Sequence, residues 1–226
     1  RSLGYQICPV IDMGRGDMIT AAYGSNGNAW GKLTPETLVK PSDLIESLDK
    51  PTIICGEASV KCASEMANKE NAFVIILDQI TDPQNIGAII RSAAFFGAKA
   101  VIVKDRNTPP ITGVIAKAAS GGLESTFLIR TTNISRALRL LKKKGFWCVG
   151  FDSGAKTTFD SLNLLQPMGI VLGAEGYGLR KLVRQNCDQL VKIQGNGPLK
   201  NLNVSNAAAV AMYEIKKVCG QFVKCK

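Results

Sequence analysis

The sequence of 226 residues contains no histidine, the side chain that enzymes most often use to move protons near neutral pH. A Ser/His or Cys/His pair for nucleophilic catalysis is therefore excluded. The seven cysteines include no C-x-x-C pair, so they predict a reducing compartment and no metal site. Any chemistry must rest on amides, carboxylates, hydroxyls, lysines and arginines.

Long hydrophobic runs are also lacking. The longest, such as residues 73–77 and 169–172, are far shorter than the roughly 20 residues that a membrane-spanning helix needs. We therefore expect no membrane segment, and a location in a bacterial-type cytoplasm or an organellar matrix.

Acidic residues are scarce in the middle of the chain. Between Arg91 and Lys144 there are eleven lysines and arginines but two acidic residues, whereas residues 1–72 carry seven basic and nine acidic residues. Nearly all of the formal net charge of +10 thus lies in the central segment. Such a segment favours a polyanionic partner, RNA or DNA, although a solvated basic face on an ordinary enzyme has the same composition.

From residue 73 onward, short apolar runs alternate with helical patterns, which is typical of an α/β fold with a parallel sheet. The apolar runs predict strands at 73–77, 100–103, 125–129, 146–149, 169–172 and 189–193. Apolar spacing and capping signals predict helices at 83–96, 111–120, 134–144, 178–186 and 205–218. Residues 1–71 predict a small or incomplete N-terminal appendage that binds substrate, with a short helix near 42–48 and an apolar run at 52–55.

Three loops follow predicted strands, which is where open α/β sheets place their ligands. In the first loop, Asn85 opens a helix and Arg91 follows two turns later, with Gly87 predicted to leave room for the arginine to reach back. A local cap and a surface arginine explain this pair equally well. The glycines of residues 173–178 fit either a backbone that approaches a ligand or a tight turn. The third loop spans residues 201–206.

Taken together, the three loops resemble the SpoU family of the SPOUT RNA methyltransferases. The matching patterns are L-D-x-x-T-D-P-x-N-x-G-A-x-x-R-S-A at 77–93, V-L-G-A-E-G-x-G-L at 171–179 and L-N-V-S-x-A at 202–207. One position departs from the family pattern, because Asn201 stands where the family usually has serine. That departure puts any hydroxyl role at this position in doubt.

The resemblance implies a Rossmann-like domain, here residues 72–226, that ends in a deep trefoil knot and forms a homodimer. It also implies S-adenosylmethionine as the methyl donor and a ribose 2′-hydroxyl of structured RNA as the acceptor. Ribosomal RNA of the 23S type, with guanosine favoured, is the expected substrate, and transfer RNA is the alternative. A non-catalytic RNA-binding ribosome assembly factor and a nucleotide-dependent enzyme unrelated to RNA are alternatives of other classes.

The resemblance further implies roles for single residues. The catalytic positions of the family fall on Asn85, Arg91, Glu175, Asn203 and Ser205. The donor-binding positions fall on Val149, Gly150, Leu172, Gly173, Gly178, Ile193 and Leu202. Because arginine stays protonated in proteins, Arg91 is predicted to hold a phosphate or to stabilise developing negative charge rather than to act as a base.

Overall fold

The computed structural model describes residues 6–26, 29–48, 51–56, 58–66, 72–162, 167–199 and 201–223. The strands are β1 (Gln6–Gly14), β2 (Asp17–Thr20), β3 (Tyr23–Asn26), β4 (Ala29–Lys32), β5 (Thr37–Val39), β6 (Thr52–Cys55), β7 (Phe73–Asp78), β8 (Ala100–Lys104), β9 (Phe127–Thr131), β10 (Trp147–Phe151), β11 (Thr157–Thr158), β12 (Met168–Gly173) and β13 (Gln189–Lys192). The α-helices are α1 (Pro41–Ser47), α2 (Ser59–Met66), α3 (Pro83–Phe96), α4 (Gly113–Ala119), α5 (Ile134–Lys143), α6 (Lys181–Asn186) and α7 (Val204–Val223). Short 3₁₀ helices lie at Gly122–Glu124 and Phe159–Ser161.

Most strands belong to one parallel sheet in the order β11-β13-β10-β12-β7-β8-β9-β6-β1. Beyond β1, the strands β2 and β5 extend the sheet in antiparallel fashion, and the β3–β4 hairpin pairs with β1. Every residue of β7 is buried, as expected for a central strand covered on both faces. The predicted α/β class with a predominantly parallel sheet is therefore confirmed.

Alternate side chains of the central strands enter two separate apolar layers, because successive residues of a strand point to opposite faces. Ile75 and Leu77 of β7 join the layer that α3, α4 and α7 cover. Val74 and Ile76 join the layer that α1, α2, α5 and α6 cover. None of the helices in the described ranges is long and apolar enough to cross a membrane.

The capping signals of α3 are confirmed. The Asp82 carboxylate accepts hydrogen bonds from the backbone N–H groups of Gln84 and Asn85, and Pro83 occupies the first helical position. Gly97 ends the helix with a φ of +76°. These local signals fix where Asn85 stands relative to the end of β7.

Several predicted helix bounds differ from the structure by one or two residues, and two differ by three or more. Helix α6 begins at Lys181 rather than at 178, because Gly178 has a φ of +67° and pairs with Ala174 in an isolated β-bridge. Helix α7 extends to Val223 rather than to 218.

The N-terminal residues continue the same sheet. Strand β6 pairs with β9, β1 pairs with β6, and α2 packs against α5 and β9. The sequence predicted α1 and β6 here but none of β1–β5. The boundary between residues 71 and 72, and the substrate-binding role of the first part, stay predictions.

Helices α3 and α4 pack closely at Gly87, where an added Cβ would lie 2.5 Å from the Ala118 Cβ and 2.8 Å from the Ile115 carbonyl oxygen. We expect Gly87→Ala to lower the free energy of unfolding by about 1–3 kcal/mol, because the two helices must separate. Gly113→Ala is the matched control, since a Cβ there meets nothing within 4 Å. Urea titration measures both variants, and equal stabilities would contradict the packing described.

Candidate active site

The carboxyl ends of β7 and β12 lie side by side, with Gly173 opposite Asp78 in the register. The loops that follow these strands therefore begin next to each other. Asn85 stands in the first turn of α3, after the first loop, and Glu175 lies in the second loop. Asn203 immediately precedes α7 and Ser205 lies in its first turn. Four of the five predicted catalytic residues thus meet at one edge of the sheet.

A hydrogen-bond network joins these four residues. The Asn203 Nδ2 donates to Glu175 Oε1 at 2.6 Å and to Asn85 Oδ1 at 3.0 Å. The Asn85 Nδ2 also donates to Glu175 Oε1, at 3.3 Å, across 90 residues of sequence, and the Val204 backbone N–H donates to the same oxygen at 3.4 Å. The Ser205 backbone N–H and hydroxyl both donate to Asn203 Oδ1. The carboxylate therefore orients both amides, which can position a polar ligand group at the surface.

A half-buried ion pair that the sequence analysis missed supports this network. Asp78 is fully buried and accepts a hydrogen bond from the Arg180 backbone N–H at 3.0 Å and another from its Nε at 2.8 Å. A terminal guanidinium nitrogen of Arg180 completes the ion pair. The signal was present in the sequence, because a carboxylate at the end of an apolar strand needs a partner when it is buried.

The glycine loop after β12 is a tight turn. The Gly178 backbone N–H donates to the Ala174 carbonyl oxygen at 2.9 Å, and Gly176 and Gly178 both have positive φ values. A Cβ on Gly173 would lie 2.2 Å from the Gly178 carbonyl carbon, so no other residue fits there. The turn holds Glu175 at the surface, while the approach of this backbone to a ligand stays a prediction.

Most of the predicted donor-binding residues lie on neighbouring strands or directly after them. Val149 and Leu172 are fully buried, on the adjacent strands β10 and β12. The space beside the Gly150 Cα is filled by the Cys187, Leu179 and Leu190 side chains. Ile193 follows β13 and is half-buried, whereas Leu202 is exposed just before α7. The structure thus gathers these residues at the same sheet edge, and their role in binding the donor stays a prediction.

Arg91 does not join the network within one chain. Its exposed side chain makes no hydrogen bond or ion pair with any residue that the structure describes. It lines an open cavity of about 460 Å³ together with residues that include Ser92, Phe95, Ser120 and Gly121. The expectation that Gly87 leaves room for Arg91 is wrong, because α4 fills that space.

Other reactive groups do not contribute to the candidate site. Burial raises the pKa of the Cys148 and Cys187 thiols to about 12, so neither is a thiolate near neutral pH. In the described part of the chain, no three histidine, cysteine, aspartate or glutamate residues are grouped so that they could hold a metal ion.

The SpoU rRNA methylase family matches residues 72–213 of this sequence. The chain belongs to this family. All five predicted catalytic residues and all seven predicted donor-binding residues lie within the SpoU match.

Curated relatives and solved structures agree with this assignment. The 23S rRNA (guanosine-2′-O-)-methyltransferase RlmB of Haemophilus influenzae is 43% identical over 151 residues, which are 66% of this chain and 61% of the relative. RlmB of Coxiella burnetii is 37% identical over 181 residues, which are 80% of this chain and 69% of the relative. The crystal structure of the SpoU methyltransferase AviRb from Streptomyces viridochromogenes with AdoMet has a TM-score of 0.62 and 27% identity, and the similarity covers 66% of this chain and 58% of that one. The chain thus spans about three fifths of the length of RlmB from H. influenzae and of AviRb.

The Asp78–Arg180 pair predicts a large loss of stability when the carboxylate is removed. We expect Asp78→Ala to lower the free energy of unfolding by about 2–3 kcal/mol, because Arg180 loses three interactions but can partly rehydrate. Asp160→Ala is the control, since Asp160 is exposed and takes part in no ion pair within the described residues. Denaturant titrations in which both variants are equally stable would contradict this role for Asp78.

Proposed function

We propose that this SpoU family member transfers a methyl group from S-adenosylmethionine to a ribose 2′-hydroxyl of RNA. The observation that carries the proposal is the network of Asn85, Glu175 and Asn203, in which one residue from each of the three sequence motifs meets the other two. Similarity to the RlmB enzymes supports 23S-type ribosomal RNA as the substrate, with guanosine as the nucleotide. Transfer RNA is the second candidate, because a Bacillus subtilis relative that is 38% identical carries the name TrmH family tRNA/rRNA methyltransferase.

The residues at the ends of β10, β12 and β13 fit the methyl donor. Val149 and Leu172 are buried beneath these strand ends, and the backbone at Gly176 and Gly178 is open, since an added Cβ would meet nothing within 4 Å at either position. The donor would be held by Val149, Gly150, Leu172, Gly173, Gly178, Ile193 and Leu202. When bound, S-adenosylmethionine supplies a methyl group on a positively charged sulfur, which a hydroxyl oxygen can attack in line.

The protein's own side chains would then align the ribose hydroxyl with the methyl group. The amides of Asn85 and Asn203, oriented by Glu175, hold the ribose, because a displacement needs its reacting atoms at a fixed distance and angle. The Arg91 guanidinium grips the adjacent phosphate, whose oxygen accepts the hydroxyl proton. Its charge also stabilises the negative charge that develops on the ribose oxygen.

We also propose that the sheet ends in a deep trefoil knot, with the chain beyond Gly173 passing through an earlier loop. Two observations support the knot. Asn203 returns to Glu175 in the loop that follows β12, and α7 packs against both α3 and β12. The knot would explain how a segment far along the chain completes the network.

In a homodimer, the Arg91 of each chain would lie at the active site of its partner. Phe95 is 82% exposed one turn after Arg91, and Tyr213 on the neighbouring helix α7 is 55% exposed. The Phe96 ring links the two, with its centroid 5.0 Å from that of Phe95 and 6.4 Å from that of Tyr213. We propose that this aromatic patch is the dimer contact and that each Arg91 serves the partner's network.

The dimer proposal predicts that Phe95→Glu yields a monomer with strongly reduced methyl transfer, because the patch would acquire a charge. Leu182→Glu is the control, since Leu182 is 65% exposed on α6, which covers the other face of the sheet. Sedimentation equilibrium at micromolar concentration and a methyl-transfer assay measure both properties. A wild-type chain that is monomeric and fully active would overturn the proposal.

The role of Arg91 predicts that Arg91→Ala leaves donor affinity unchanged while methyl transfer falls by about 10²- to 10³-fold. Arg91→Lys should recover only part of the rate, because an ammonium lacks the planar fork that grips two phosphate oxygens. Lys99→Ala, which removes another exposed cation near the end of α3, should keep wild-type activity. Calorimetry gives the donor affinity, and a folded Arg91→Ala chain with normal turnover would refute the mechanism.

A further inference from the structure

The lysines and arginines of the basic segment, which runs from Arg91 to Lys144, differ in whether an acidic side chain neutralises them. On α5 and just after it, Lys142 pairs with Asp188 at 2.7 Å and Lys144 pairs with Glu65 at 3.0 Å. In contrast, Lys104 at the end of β8 and Arg106 in the next loop form no hydrogen bond or ion pair through their side chains within the described residues. Their charge is therefore available to a ligand.

Arg130 on β9 holds the loop that carries Arg106. Its Nε donates to Asp105 Oδ1 at 3.0 Å, and its terminal nitrogens donate to the carbonyl oxygens of Asp105, Thr108 and Pro109 at 2.9, 3.0 and 3.2 Å. The Arg130 side chain is only 15% exposed. One guanidinium thus fixes residues 105–109 and neutralises the acidic residue of this loop, which leaves the positive charge of its neighbours uncompensated.

This loop lies beside the proposed active site. Strand β8 is the neighbour of β7, with Val103 opposite Leu77, so the loop after β8 begins next to the loop that leads to Asn85. The predicted donor residues lie on the opposite side of β7, at the ends of β12, β10 and β13. The loop of residues 105–109 therefore lies on the side of Asn85 that the predicted donor residues leave free for an RNA strand.

We propose that Lys104 and Arg106 bind phosphates of the RNA next to the modified nucleotide, and that Arg130 is a positioning residue for their loop. The proposal rests on the proposed function, because it takes RNA as the substrate. Besides Arg91, it assigns phosphate binding to two of the eleven cations between Arg91 and Lys144.

The test is the binding of transcribed 23S rRNA to the full chain, measured over a series of salt concentrations. The double variant Lys104→Ala, Arg106→Ala should lose about tenfold or more in affinity at 0.1 M salt, and the slope of log affinity against log salt should fall by about 0.7–0.9 for each lost contact. The control is Arg139→Ala, Lys143→Ala, which removes two exposed α5 cations that form no ion pair within the described residues. The control should keep the wild-type slope.

Arg130→Lys tests the positioning role, because lysine keeps the charge but has only three N–H donors for the four oxygens that Arg130 contacts. We expect weaker RNA binding with unchanged donor affinity. Equal loss of affinity in the two double variants, or an Arg130→Lys chain that binds RNA like the wild type, would overturn this proposal and leave the proposed function standing. A wild-type chain that binds the donor but no RNA would overturn both.

Discussion

The parallel pairing of β12 with β7 is the constraint on which the candidate site depends. It places Gly173 opposite Asp78. The ion pair between Arg180 and Asp78 then fixes the path of the loop that runs from Gly173 to Arg180. Because both strands are buried on two faces, a one-residue shift of register would exchange side chains between the two apolar layers and disrupt the packing of both. The packing of the sheet therefore places Glu175 beside Asn85. The hydrogen-bond network then orients the side chains, whose positions the core already determines.

Sequence patterns predicted the elements that depend on local signals. The aliphatic strand β7, the Asp82 cap and the Gly97 terminus of α3 were read correctly, since each has a local physical cause. Strands β2–β5 were not predicted, because they have only three or four residues each. The nine-residue strand β1 was not predicted, because Pro9 and Asp12 interrupt its apolar pattern. The late start of α6 depends on the turn at Gly178, and the glycine pattern allowed this turn without specifying it.

The site residues show the same division. The motifs predicted Asn85, Glu175, Asn203 and Ser205, and the structure brings all four together. Asp78 carried a signal as a carboxylate at the end of an apolar strand, but its partner Arg180 was missed, because the two residues become neighbours only when distant loops meet. Charge counting indicated a polyanionic partner, but it could not separate cations in ion pairs from free ones. That distinction depends on tertiary structure. It favours the loop held by Arg130, rather than the basic helix α5, as the place where RNA phosphates bind.

Methyl transfer to a ribose hydroxyl is tested most directly by locating the transferred methyl group chemically. The chain would be incubated with transcribed 23S rRNA and S-adenosylmethionine labelled in its methyl group, and the RNA would then be hydrolysed in alkali. A 2′-O-methyl group blocks cleavage of the adjacent phosphodiester, so we expect the label to be recovered in an alkali-stable dinucleotide. Label recovered in mononucleotides would show methylation of a base and would contradict transfer to the ribose 2′-hydroxyl.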